Sequence, residues 1–270
     1  MKPALNKDTK LCISLASQPS NIGTRFHNYL YEELGLDFVY KAFTTTDLAA
    51  AIGGVRALGI RGCSVSMPFK QDAMALVDEV EDSARAIDAV NTIVNDDGYL
   101  TASNTDYLAI CELIQDLDTS ASVAILGSGG MARAVGAAFR DNGFGDGTVV
   151  ARNPQSGEEL ATRLGYAWRP DLGAISASVI VNATPVGMGG RPESDEVAFD
   201  VAAIDGADVV LDVVAIPAET PLITAAREAG KKVITGAEVI ALQAAEQFAR
   251  YTGTKPTPAQ IEAASAWSRA

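Results

Sequence analysis

The sequence predicts an α/β fold in two domains, the first built on a mixed sheet and the second on a doubly wound parallel sheet. Three observations carry this reading. Strand-like apolar runs alternate with helix-like stretches along the whole chain. The glycine cluster of "ILGSGGMAR" follows one such run directly and opens a helix. At Asp106 the pattern changes from a mixture containing a hairpin to regular strand–helix alternation. A length of 270 residues is enough for two medium domains, and 48% hydrophobic with 20% charged residues is an ordinary globular composition.

Taken in order, "KLCISLA" reads as a strand and is followed by a polar loop and a helix through Leu34, with Ser20 or Asn21 placed to cap it. "DFVYKAF" is strand-like, "TDLAAAIGGVRAL" has helical spacing, and "GIRGCSVS" returns to strand. "VNTIVN" and "YLTAS" flank "DDG" and read as a hairpin. Tyr107, Ile110, Cys111, Ile114 and Leu117 then recur at helical spacing. "SVAIL", "TVVAR", "SVIVNA" and "DVVLDVV" are short buried strands separated by helical stretches, the pattern of a parallel sheet. The tail, "AEVIALQAAEQFARYTG" and "TPAQIEAASAWSRA", is helical. Proline and glycine punctuate elements and do not cluster into a linker.

The glycine loop is the first segment with chemistry in it. Gly127, Gly129 and Gly130 permit a tight turn and a close backbone approach to a pyrophosphate, whose charge the following helix N-terminus stabilises. The spacing is G-x-G-G and lacks the third glycine of the usual G-x-G-x-x-G pattern. A tight turn alone accounts for many glycine clusters. The strand before this one, the helix after it and the alternation that follows favour a Rossmann-type dinucleotide site. At the end of the next strand an NAD site usually presents an acidic residue to the ribose hydroxyls. "GTVVARNPQ" presents Arg152 instead, which favours the extra phosphate of NADP, although no second basic residue follows before Arg163.

Several classes are disfavoured. A formal charge of −13 lacks the basic footprint that nucleic acid demands. No apolar run reaches membrane-span length, and "MKPALNKDTK" has no secretory apolar segment. The three cysteines, Cys12, Cys63 and Cys111, are distant, odd in number and set in apolar runs, as expected of reduced core residues in a cytoplasmic protein. With one histidine and no Cys or His pair at ligand spacing, no metal site is expected. His27 opens "HNYLYEEL", where packing is the expected role, so a lysine or carboxylate is the expected carrier of any proton transfer.

Two residues of the first domain stand at strand ends. Pro68 cannot donate to a ladder, so the chain is expected to turn there and expose Lys70 at the sheet edge. "ASNTDYLAI" ends a strand and starts a helix, with Asn104, Thr105 and Asp106 each a candidate cap. Most lysines are solvated and most aspartates before helices are caps, so these residues alone do not choose between structure and catalysis.

Together, "VSMPFK", "AVNTIV", "SNTD", "GSGGMARA", "ARN", "NATPVGM", "DVVAIPAETPLI" and "ALQAAEQFARYTG" resemble the shikimate dehydrogenase family in order and spacing over nearly the whole chain. The resemblance implies a substrate domain of residues 1–105 and 237–270, with an NADP domain of residues 106–236 inserted between its parts. It implies reversible, NADP-linked oxidation of a shikimate hydroxyl to the 3-dehydro ketone, substrate lying against nicotinamide in the cleft between domains. Lys70 matches the catalytic lysine and Asp106 its partner, while Asn91, Gln243 and Ser66 match substrate-binding positions. Gly127, Ser128, Gly129, Gly130, Met131, Ala132 and Arg152 match the phosphate end of the cofactor site. Asn182, Thr184, Val213 and Gly236 match its nicotinamide end.

Departures from the family pattern lie at the carboxylate clamp. Typical members hold the substrate carboxylate with a Ser-x-Ser pair, and those two positions here are Asn21 and Gly23. Ala215 replaces a usual tyrosine, and Tyr107 a usual glycine. The loop is therefore expected to face substrate with fewer hydroxyl donors. "SNIGTRFHNYLYEELGL" is most similar to the divergent shikimate dehydrogenase-like branch, which implies poor handling of shikimate. A small cyclic hydroxy acid is the expected partner, of either a monomer or a homodimer. The altered clamp leaves a second reading, an NADP-binding regulatory or sensor protein with little turnover.

Overall fold

Strand β1 (Lys10–Leu15) shows how the first sheet is built: Cys12 faces one apolar layer, and Ile13 and Leu15 face the other. The computed structural model describes residues 2–269, and the chain divides into two compact units. One contains the residues up to Thr105 together with Ala241 onward, and the other runs from Asp106 to Ile240.

The first unit continues with α1 (Ile22–Glu33), β2 (Phe38–Phe43), α2 (Leu48–Ala57), β3 (Gly62–Val65), β4 (Glu79–Val80), α3 (Asp82–Arg85), β5 (Thr92–Asp96) and β6 (Tyr99–Ser103). Its six-stranded sheet has the order β2-β1-β3-β5-β6-β4. The β1, β2 and β3 strands are mutually parallel, and β5 runs antiparallel to both β3 and β6. The hairpin turns through Asp97 and Gly98, both at positive φ, as a tight turn of this kind requires. Ile52, Val55, Ile93 and Leu100 pack on one face of the sheet. Phe26, Leu30, Tyr31, Phe248 and Tyr251 pack on the other, so the carboxy-terminal helices complete this core.

The second unit contains α4 (Thr105–Ile114), which starts one residue before the boundary, then β7 (Val123–Leu126), α5 (Gly130–Asp141), β8 (Gly147–Val150), α6 (Pro154–Leu164), β9 (Ala167–Arg169), β10 (Val179–Asn182), α7 (Val201–Gly206), β11 (Val209–Asp212), α8 (Pro221–Glu228) and β12 (Lys232–Thr235). Helix α9 (Gly236–Thr252) leads back into the first unit, and α10 (Pro258–Arg269) ends it. The second sheet is wholly parallel, in the order β12-β11-β10-β7-β8-β9. That is the doubly wound order, and strand order reverses between β7 and β10, where such sheets bind ligands at their carboxy ends.

Three local expectations change. Helix α1 begins at Ile22, and its N-cap Asn21 makes no side-chain capping bond, so α1 starts uncapped and His27 lies well inside it. Cys111 is only half-buried. Strand β3 is interior to its sheet, so Lys70 follows the end of an interior strand and does not lie along an edge. Among the described residues no helix is long and apolar enough to cross a membrane, and no group of His, Cys, Asp or Glu is arranged to hold a metal.

Candidate active site

Lys70 is placed by backbone bonds on both sides. Ser66 N donates to Leu15 O (2.9 Å), Phe69 N to Ser66 O (2.9 Å), and Val90 N to the Lys70 carbonyl (2.8 Å). Phe69 packs into the core, which leaves Ser66 exposed and Lys70 half-buried beyond the end of β3.

The neighbouring strand end is a polar cluster. Asn91, 3% exposed, accepts through Oδ1 from Thr105 N (2.8 Å), Thr105 Oγ1 (3.1 Å) and Thr92 Oγ1 (2.8 Å). Its oxygen thus accepts from the first N–H of α4. Thr105 Oγ1 also reaches Gln243 Oε1 on α9 (3.2 Å). Asn91 is therefore tethered through its oxygen by the Thr105 N–H, and the single Thr105 hydroxyl hydrogen is shared between Asn91 Oδ1 and Gln243 Oε1, with no bond seen from Asn91 Nδ2 or Gln243 Nε2 among the described residues. Behind them Gln247 Nε2 donates to Thr92 Oγ1 (3.0 Å), Ser64 Oγ to Gln247 Oε1 (2.9 Å), and Tyr40 Oη to Ser64 Oγ (2.9 Å). Asp106, half-buried, is the next residue of α4 after Thr105 and the first of the second unit.

At the start of α1, Asn21 is exposed and Gly23 half-buried. A Cβ on Gly23 would meet the Tyr40 hydroxyl at 3.6 Å, an ordinary contact, so a serine fits where this chain has none. A separate cavity of about 430 Å³ opens at the other end of the same strands, beside Lys10, Arg61 and Asp97. Arg61 there is engaged by the Tyr251 and Asn95 carbonyls and by Asp96, so its charge is already met.

In the second unit Gly127 has φ +120°, and a Cβ there would lie 2.9 Å from the Ala183 carbonyl oxygen, so only glycine fits. Gly129 is the N-cap of α5 and, lacking a side chain, leaves the first N–H groups of that helix without a capping partner. Gly129 and Gly130 are exposed, and an added Cβ on either meets nothing within 4 Å. An open loop with free helix-start donors fits a pyrophosphate. Ser128 Oγ bonds Ser156 Oγ on α6 (2.8 Å), Met131 is half-buried, and Ala132 is fully buried. Arg152 is exposed after β8, and Asn153 caps α6 by accepting from Ser156 N (3.2 Å).

The other half of this carboxy-terminal rim is formed after β10, β11 and β12. Asn182 is fully buried: its Oδ1 accepts from Thr184 N (3.1 Å) and Thr184 Oγ1 (2.6 Å), and its Nδ2 donates to Val186 O (3.0 Å) and Asp212 Oδ1 (3.0 Å). Asn182 therefore shapes the loop that presents Thr184. Val213, half-buried, donates its N–H to Asn182 O (3.0 Å). A Cβ on Gly236 would lie 2.4 Å from the Val214 carbonyl, so the start of α9 approaches the β11 loop as only glycine allows.

Sequence reading names Thr105 only as a candidate cap and misses Gln247, Asp212 and Thr220. The only linear signal for Asp212 is an acidic residue ending the apolar run "DVVLD", and none exists for Gln247, whose partner Thr92 is 155 positions away.

Residues 21–93 match the family model for the shikimate dehydrogenase substrate binding domain. The chain is 54% identical over 267 residues to a shikimate dehydrogenase-like protein of Haemophilus influenzae, covering 98% of both chains. It is 36% identical over 245 residues to an NADP(+) shikimate dehydrogenase of Oleidesulfovibrio alaskensis, covering 88% of this chain and 87% of the other. A solved shikimate 5-dehydrogenase-like protein superposes with a TM-score of 0.97 at 54% identity, over 99% of this chain and 100% of that one. The Thermus thermophilus shikimate 5-dehydrogenase, solved with NADP(H) and shikimate, gives 0.83 at 29% identity over 96% and 99%. The chain belongs to the shikimate dehydrogenase family and groups there with shikimate dehydrogenase-like proteins.

Proposed function

We propose that this protein is an NADP-dependent dehydrogenase of shikimate dehydrogenase type, which reversibly oxidises a ring hydroxyl of shikimate or of a related cyclic hydroxy acid to the ketone. The observation that carries the reading is the pair of tethered amides. Anchored through oxygen at Thr105, Asn91 and Gln243 keep Nδ2 and Nε2 for donation to neighbouring ring hydroxyls. Pre-positioned donors of this kind bind without paying side-chain entropy again.

Lys70 takes the hydroxyl proton as the carbinol C–H bond breaks, and returns it in the reduction. Asp106 accepts a hydrogen bond from that hydroxyl and orients the lysine. Bound in the second unit, NADP supplies the hydride acceptor. Gly127, Ser128, Gly129, Gly130, Met131 and Ala132 form its pyrophosphate cradle, and Arg152 faces the 2′-phosphate. Thr184, Val213 and Gly236 border the nicotinamide, with Asn182 holding Thr184 in place. Ser66 contributes to the substrate side.

Asn21, Gly23 and Ala215 provide no hydroxyl for a substrate carboxylate. Each missing bond to a charged carboxylate is worth about 1.5–3 kcal/mol, roughly 10- to 100-fold in binding. Shikimate is therefore expected to turn over weakly, and a ring acid that relies less on that clamp to turn over better. The test is NADPH absorbance with a panel of cyclohexane and cyclohexene carboxylates, including shikimate, quinate and amino-substituted analogues. Lys70→Ala should lower turnover by about a hundredfold or more while NADPH affinity stays within about twofold. Unchanged turnover in that variant removes the lysine from the mechanism. Tight NADPH binding with no turnover across the panel would instead support the regulatory reading, which the reduced clamp favours.

A further inference from the structure

A fully buried carboxylate ends β11. Asp212 is 0% exposed, so solvent does not reach it. Three donors from three places converge on it: Asn182 Nδ2 at the end of β10 (3.0 Å), Val214 N in the loop after β11 (3.0 Å), and Thr220 Oγ1 (2.7 Å). Thr220, itself 0% exposed, is the N-cap of α8, and its Oγ1 also accepts from Ile223 N (3.2 Å). The bonds from Val214 and Thr220 close the loop of residues 213–219 at both ends, and the bond from Asn182 joins it to the loop of residues 182–188.

That second loop also touches the phosphate cradle, because Gly127 packs against Ala183 and Thr184. On the other side, Gly236 packs against the Val213 and Val214 carbonyls. One carboxylate thus fixes the spacing of the segments that the cofactor reading assigns to the nicotinamide end. Burial pushes the Asp212 carboxyl up to about 6 despite three hydrogen bonds that favour its ionised form. A charge kept in a place that penalises it argues for a role other than stability.

We infer that Asp212 is a positioning residue of the nicotinamide half-site, setting the spacing of the loops at 182–188 and 213–219 through its bonds from Asn182, Val214 and Thr220. This rests on the NADP reading of the second unit. Asparagine at 212 offers one acceptor oxygen for three donors, and its amide group confronts at least one of them. Valine at 220 removes the same bond from the other side, and serine restores it.

The experiment compares wild type, Asp212→Asn, Thr220→Val and Thr220→Ser with two probes. Adenosine 2′,5′-bisphosphate, titrated by calorimetry, reports the phosphate end alone. NADPH, followed by its nicotinamide fluorescence, reports the other end. Expected is bisphosphate affinity within about twofold in all four proteins. NADPH affinity should fall about tenfold or more in Asp212→Asn and Thr220→Val, with the bound-state emission change reduced. Thr220→Ser should match wild type. Wild-type NADPH behaviour in both Asp212→Asn and Thr220→Val overturns the inference, as does an equal loss of both probes, which marks a general structural effect. Wild type binding neither probe removes the cofactor reading and the inference with it.

Discussion

The imidazole of His27 stacks on the Tyr40 ring at 4.4 Å with planes 5° apart, and burial pushes its pKa down to about 3. Neither ring nitrogen has a partner in hydrogen-bonding geometry among the described residues. The sole histidine of the chain is therefore neutral throughout the physiological range, and proton transfer falls to other groups. His27 and Asp212 have opposite linkage. The unfolded histidine binds a proton below 6.5 and the folded one does not, so stability falls as pH drops through the window from 6.5 to about 3. Folded Asp212 binds its proton at about 6, against 3.8 when unfolded, so this residue's contribution improves as pH falls from about 6 towards 4. The shift corresponds to on the order of 3 kcal/mol. Comparing wild type with Asp212→Asn cancels the histidine, which both contain. The difference in urea midpoint should move in favour of wild type as pH is lowered from 7 to 5. A flat difference across that range would mean that the carboxyl does not titrate there.

Helices and strands differ in how much of their origin a linear reading recovers. Short apolar runs reveal β1, β7, β10 and β11, and the 3.6-residue period reveals the amphipathic helices, because those strands are buried in their sheets and the helices bury one stripe. The two-residue β4 and the three-residue β9 are too short to carry a period, and pairing with β6 and β8 makes them strands. The hairpin turn and the glycine loop are legible because their backbones demand special residues. The uncapped start of α1 and the remote cap of α4 are not, since hydrogen bonds formed elsewhere in the fold decide both. Gly127→Ala tests the loop as an element. Its φ of +120° and the 2.9 Å approach to Ala183 should destabilise the second unit by about 1–3 kcal/mol. NADPH binding should weaken with it. Thermal melting and NADPH titration check this, and a variant indistinguishable from wild type in both would show that the turn tolerates a side chain.

At the scale of the whole molecule, the first unit is discontinuous: its core needs Phe248 and Tyr251 from α9 as well as Phe26, Leu30 and Tyr31 from α1. Composition and alternation point to two α/β domains, but only the resemblance to a known family shows that one is inserted into the other. Contacts between segments more than a hundred residues apart leave no periodic trace. Ending the chain at Ile240 should therefore unfold residues 1–105 while leaving 106–240 folded. Hydrogen exchange is expected to show fast exchange in the first stretch and retained protection in the second, whereas uniform protection would mean that the first unit needs no closing helices. The same discontinuity orders biosynthesis. The inserted unit has all its strands once β12 leaves the ribosome, but the flanking unit must wait, its aromatic layer half made, until α9 and α10 emerge. During that interval the apolar face of α1 and the first sheet stays uncovered, and it is the surface a nascent-chain chaperone would meet.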